Sequence, residues 1–283
     1  MTKFTLTRMI HPTAIIDAKA ELDPTVEVGP YAVIDAHVTL GPGCRVGPHV
    51  YITGHTRIGA DNRFYAGCVV GEAPQDVKYK DEPTELRVGD NNLVREGATI
   101  HRSAREGEAT VIGSNNFLMV NSHIAHNVIL GDHVILANGA LLAGHVEVGD
   151  RVFISGNCLV HQFCRVGTLA IMQGGSAISR DLPPYTVARW YNGMCGLNAI
   201  GLRRAGLSNE ERLELKTLYH HLFRTEMNLS EALAQARKEF TSAPAKVLLD
   251  FVASAKRGVC RDVSMMARGG GKIEGEEDAS AEP

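Results

Sequence analysis

The chain has 283 residues, 44% of them hydrophobic and 22% charged, with a formal net charge of −3. That is enough apolar material for one large soluble domain or two moderate ones, and the charge balance argues for neither a nucleic-acid partner nor stable membrane insertion. No apolar run reaches the roughly eighteen residues of a membrane span, the N-terminus lacks the apolar stretch of a secretory signal, and six cysteines without CxxC spacing suit a reducing cytoplasm.

From Ile10 onward every sixth residue is aliphatic or similar: Ile16, Leu22, Val28, Ile34, Leu40, Val46, Ile52, Ile58, Phe64 and Val70. The series resumes at Val88, Val94 and Ile100, and again from Ile112 to Ile178; Asp76, Glu82 and Glu106 break it. A period of six fits neither a helix nor a simple alternating strand. It predicts a mainly β fold, a hexapeptide parallel β-helix over residues 1–187, in which three hexads close a coil of about eighteen residues around an aliphatic core. Cys44, Cys68, Cys158 and Cys164 share one phase of the repeat and read as small core fillers. Residues 71–87 ("GEAPQDVKYKDEPTELR") and 101–111 ("HRSAREGEATV") read as excursions from the wall or distorted coils, both preserving the sixfold phase.

The repeat ends at "DLPPYTV", where paired prolines cannot donate to a strand ladder. Residues 188–264 read as a C-terminal α-helical domain, with Ser208 and Glu211 spaced as a capping box. Its stretch 197–261 carries eleven Lys/Arg against seven Asp/Glu, a basic surplus suited to an acidic partner or to an ordinary solvated face. Residues 265–283, Gly-rich and then acidic, read as a disordered tail.

Residues eighteen apart should stack at the strand spacing of about 4.8 Å. His126, Gly144 and Gln162 are then equivalent in successive coils, with His145 and His161 as chain neighbours and His123 three residues before His126. The histidines, scattered along the chain, fall in one patch about 10 Å high. An imidazole able to accept a proton beside a glycine whose N–H can be approached is the minimum for moving an acyl group onto a hydroxyl. The same histidines could instead decorate turns, or bind zinc between subunits in the manner of a β-helical carbonic anhydrase.

The words around these histidines resemble the UDP-N-acetylglucosamine O-acyltransferases of lipid A biosynthesis: "HPTAIID", "GEAPQDVKY", "TIHRSA", "FLMVNSHIAHN", "ILANGALLAGHV", "LVHQFCRVG", "RDLPPY" and "GLNAIGLRRAGLS". The resemblance implies a left-handed β-helix and a cytoplasmic homotrimer with active sites between neighbouring prisms. It also implies transfer of a 3-hydroxyacyl chain from acyl carrier protein to the 3-hydroxyl of UDP-N-acetylglucosamine. It makes His126 the general base and the Gly144 N–H the oxyanion donor. Gln75 and Asp76 would hold the sugar, in a loop crossing to a neighbouring site, with Lys78 near the substrate's charged portion. His123, His145, His161 and Gln162 would line the sugar and diphosphate pocket, and Asn198 and Arg204 the nucleotide side. Gly156 and Gly174 would form a trough for a long acyl chain, and neither metal nor diffusible cofactor is required. Asn127, where some relatives carry Asp, Ile200, where they often carry an acidic residue, and the unusual Trp190–Tyr191 pair depart from the family pattern. They keep N-acyl transfer, or an amino-substituted acceptor, open as the alternative.

Overall fold

The computed structural model describes residues 9–268. They form a left-handed parallel β-helix capped by helices. Strands of mostly two residues stack into three faces. Face A begins at Glu27–Val28, face B at Ile15–Ile16 and face C at Glu21–Leu22, and each full coil visits A, B and C in turn. The register is eighteen over the regular coils, as in His123↔Leu141 and Leu141↔Leu159. Parallel ladders are satisfied between coils by bonds such as Ala125 N–H to the Leu142 carbonyl, 3.0 Å.

Two residue types make the repeat work. The sixth-residue aliphatics point into the prism, where Ile124, Leu130, Leu136 and Leu142 are at most 1% exposed. Burial of such a side chain stabilises by about 1.5–3 kcal/mol. Three residues after most core aliphatics the chain turns a corner with positive φ. Asn127 (59°), His145 (60°) and Phe163 (63°) occupy this position on successive coils. Asn and His tolerate that left-handed region better than most residues, while Phe163 is held in it by its surroundings. Between corner and next strand sits a small buried residue. Cys44, Cys68, Cys158 and Cys164 fill that position, completely buried, and burial pushes the Cys68 thiol up to about 12.

The two charged segments are true insertions, narrower than expected. Glu85 pairs with His55, thirty residues earlier, and with Ala109, twenty-four later, where eighteen is the norm. Twelve and six residues are therefore extra, whole hexads that leave the phase intact. Residues 85–87 and 109–111, expected in the excursions, lie in the strands Glu85–Val88 and Ala109–Ile112.

Strand structure also continues past residue 187. Face A gains Thr186–Arg189, then an antiparallel strand Gly193–Leu197, and finally Arg261–Asp262 returning from the far end of the helical segment. The chain coils once more past Pro183 and Pro184 and reverses only after Arg189, through a turn in which Trp190 (60°) and Asn192 (52°) take positive φ. The helices are α1 (Ala199–Arg204), α2 (Asn209–Phe223), α3 (Leu229–Glu239), α4 (Ala243–Ala253) and α5 (Val263–Arg268). The capping box of Ser208 and Glu211 is formed at α2. Arg165 joins the two parts: it pairs with buried Asp181 at 2.7 Å and donates to the Phe251 carbonyl and Ser254 hydroxyl of the helical segment. Residues 265–268, expected in a disordered tail, belong to α5; the acidic remainder of that tail lies outside the described residues.

Candidate active site

The corner leading from face B to face C brings together most of the histidines singled out in the sequence. His126 sits just after the His123–Ile124 strand, and its ring lies on Gly144 of the next coil. A Cβ built on Gly144 would come 2.6 Å from Cε1 and Nε2 of His126, so the ring occupies space that only glycine leaves free. Gly144 is itself buried, and among the described residues its N–H has no acceptor. One position on, His126 meets His145 edge to face at 5.2 Å, and His145 stacks on Phe163 at 4.6 Å.

Behind this pair the cluster extends down face B. His123 Nδ1 lies 2.7 Å from the Thr99 hydroxyl, and its ring meets His101 at 5.0 Å. Burial, reinforced by neighbouring imidazoles, holds His101 down at about 4 and lowers His123 and His145 below the ordinary histidine range. All three shifts favour the neutral ring, so these neighbours add little positive charge around His126. His101 Nδ1 is buried with no hydrogen-bond partner among the described residues.

The twelve-residue insertion returns to the same corner of its own chain. It is tied back by Arg102, which donates to the Tyr79 hydroxyl at 3.2–3.3 Å. Asp76 accepts from the Lys78 N–H at 2.9 Å, and its carboxylate and that of Glu108 counter part of the lowering at His145. Within its own chain the loop therefore lies on the side of the prism that carries His145. Gln75 and Lys78 are exposed on the same loop.

His161 and Gln162 occupy the same corner one coil beyond Gly144 and are exposed, with His161 Nδ1 3.2 Å from the Gln162 carbonyl. The other expected residues lie elsewhere. Asn198 is 8% exposed and its amide is committed, accepting from Gly201 N–H as the α1 cap and donating to the Leu169 carbonyl. Asn198, Ile200 and Arg204 edge an open, mostly apolar groove of about 790 Å³ on face A, whose floor includes Ile135, Phe153 and Ile171. Gly156 and Gly174 lie at the corner from A to B; a Cβ on Gly174 would find its nearest neighbour at 3.6 Å. One chain thus holds two separate sets, the histidine corner and the α1 groove. Among the described residues no three His, Cys, Asp or Glu side chains are arranged to hold a metal ion, and no helix is long and apolar enough to cross a membrane.

The sequence reading omitted His101, Ser103 and Glu108. The six-residue insertion makes the local register twenty-four, Thr99 pairing with His123, so eighteen-residue arithmetic could not bring them to the corner. Counting the insertion as one extra hexad would have done so.

Two family models match: "Udp N-acetylglucosamine O-acyltransferase; Domain 2" over residues 181–260, and "Bacterial transferase hexapeptide (six repeats)" over residues 109–144. The acyl-[acyl-carrier-protein]–UDP-N-acetylglucosamine O-acyltransferase of Trichlorobacter lovleyi is 51% identical over 258 residues, covering 89% of this chain and 99% of that one. The protein of the same name from Syntrophobacter fumaroxidans is 45% identical with the same coverage. The solved structure of the Francisella novicida UDP-N-acetylglucosamine acyltransferase superposes with a TM-score of 0.88 at 33% identity, covering 92% of this chain and 96% of its own. The Acinetobacter baumannii structure gives 0.86 at 40%, covering 90% and 100%. With the repeat, the helical segment and nearly the whole length of these relatives matched, the chain belongs to the acyl-[acyl-carrier-protein]–UDP-N-acetylglucosamine O-acyltransferase family.

Proposed function

We propose that this enzyme moves a 3-hydroxyacyl chain from the phosphopantetheine thioester of acyl carrier protein to the 3-hydroxyl of UDP-N-acetylglucosamine, opening lipid A biosynthesis in the cytoplasm. The observation that carries the mechanism is the His126 ring seated on Gly144, whose N–H is free. His126 Nε2 takes the proton of the acceptor hydroxyl as that oxygen attacks the thioester carbonyl. The Gly144 N–H donates to the oxyanion, and collapse expels the thiolate, which recovers the proton from His126. The thioester is already activated, so the reading requires neither a metal nor a diffusible cofactor. His123, His145 and Asp76 surround the acceptor sugar, with Gln75 and Lys78 beside them and His161 and Gln162 along the diphosphate.

Asn198 and Arg204, at a groove on another face, serve the nucleotide in a homotrimer, where one chain's α1 groove approaches the histidine corner of the next. The space at Gly174, stacked on Gly156, suits a long acyl chain of about fourteen carbons, a length at which each buried methylene contributes about 0.8 kcal/mol.

The test is transfer from a panel of 3-hydroxyacyl carrier-protein thioesters to UDP-N-acetylglucosamine, wild type beside His126→Ala. We expect a loss of about 10²–10⁴-fold in kcat with an unchanged melting temperature. Turnover surviving His126→Ala removes the base assignment, and transfer confined to an amino-sugar acceptor moves the assignment to N-acylation.

A further inference from the structure

Asn127 stands where a carboxylate would be the simplest partner for a basic histidine, yet its side chain is fully engaged. Oδ1 accepts from the Ala104 N–H at 2.9 Å and lies 2.9 Å from His126 Nδ1. Nδ2 donates to the Ser103 hydroxyl at 2.7 Å and to Glu108 Oε2 at 2.6 Å. Asn127 is 8% exposed, and its backbone N–H is fixed by the Thr110 hydroxyl at 2.8 Å. A backbone N–H can only donate and a carboxylate can only accept, so Ala104 and Glu108 independently orient the amide the same way. With Oδ1 turned toward the imidazole, Nδ1 must carry the hydrogen and Nε2 the lone pair. Ser103, Ala104 and Glu108 all come from the six-residue insertion or its edge, which gives that excursion a task.

We infer that Glu108 is a positioning residue that sets the tautomer of His126 through Asn127, a carboxylate displaced one amide away from the imidazole it serves. The logic is that of a carboxylate holding an imidazole by Nδ1–H, with a neutral relay inserted. Polarisation of the Asn127 amide by Glu108 strengthens the bond accepted from His126, as consecutive hydrogen bonds reinforce each other. Glu108 is exposed and has Arg105 at 3.8 Å, so its charge stands at the edge of the site and is not buried in it. This inference rests on His126 being the base.

The test is a cycle of Asn127→Asp, Glu108→Gln, Glu108→Ala and the Asn127→Asp/Glu108→Gln double variant, each checked for melting temperature and assayed for transfer between pH 6 and pH 9. Selectively ¹⁵N-histidine-labelled wild type and Glu108→Ala are compared by NMR. Asn127→Asp alone puts two carboxylates in contact, so kcat should fall by about tenfold at pH 8 and less at pH 6, where the pair can share a proton. Adding Glu108→Gln should restore activity to within about threefold of wild type, although Gln is the poorer partner of an amide. Glu108→Ala should lower kcat without raising KM and shift His126 away from the Nδ1–H form. An Asn127→Asp variant indifferent to Glu108→Gln at every pH, or a His126 tautomer unchanged in Glu108→Ala, would overturn the assignment. Turnover surviving His126→Ala would instead remove the base reading and leave the tautomer measurement to judge Glu108.

Discussion

Two corners of the same prism are built from the same hexad and have opposite characters. On the corner from face C to face A, the N–H two residues after the core aliphatic is capped in four consecutive coils. Ala60 donates to Asp90, Asp90 to Ser114, Ser114 to Asp132 and Asp132 to Asp150, at 2.6–2.9 Å. Behind them a buried ladder of Asn62, Asn92 and Asn116 satisfies the next backbone donors. On the corner from B to C, Gly144 occupies the equivalent position, and the side chain one coil on is Gln162, which does not cap it. A short carboxylate or hydroxyl at that position closes the corner. A glycine under an imidazole leaves a backbone donor uncapped beside a ring nitrogen. At the proposed site the scaffold lacks a stabilising cap that it uses elsewhere.

The strongest way to break this contrast is a single methyl group at the same hexad position on two corners. Gly144→Ala must displace the His126 ring from 2.6 Å, and we expect about a 10²-fold loss of kcat with the fold retained. Gly174→Ala meets nothing closer than 3.6 Å. It should leave kcat for short donors and the melting temperature unchanged, and move donor preference toward shorter chains in the thioester panel. Equal losses in the two variants would mean that the His126–Gly144 packing is not what matters.

A second effect tests the cost of the crowded histidine corner. His101 is held down at about 4 in the folded chain, against about 6.5 when unfolded, so between those values the unfolded state binds more protons. Stability should therefore fall as pH drops from about 6.5 toward 4 and level off below, by at most about 3 kcal/mol from this residue. Urea unfolding at a series of pH values, at fixed protein concentration, should show that slope reduced in His101→Asn. An unchanged slope would assign the acid sensitivity to other groups.

The smallest effect belongs to the closed corner. Asp132→Ala removes the acceptor of the Ser114 N–H at 2.6 Å and should cost about 1 kcal/mol in stability while leaving kcat unaltered. A loss of activity there would show that the two corners are coupled.

The period of six was enough to give the β-helix, the inward column from Ile16 to Ile178 and the buried cysteines, because a repeat that places one apolar residue per hexad has no other way to bury it. Eighteen-residue stacking likewise brought His126, Gly144 and His145 to one place before any coordinates. What the sequence left hidden came from breaks in that arithmetic. Insertions of twelve and six residues reset the register, so Glu108 and His101 reached the corner from nineteen and twenty-five residues before Asn127 and His126. The departure at Asn127 read as the loss of a carboxylate, whereas the fold puts Glu108 2.6 Å behind it. The return of Arg261–Asp262 to face A was equally invisible, since a two-residue strand carries no periodic signal and is chosen by the edge it pairs with. The sequence by itself determined the scaffold, because periodic burial is local and repeated. The tertiary structure alone decided which polar atoms meet, because hydrogen bonds depend on distances of a few tenths of an ångström that no spacing rule conveys.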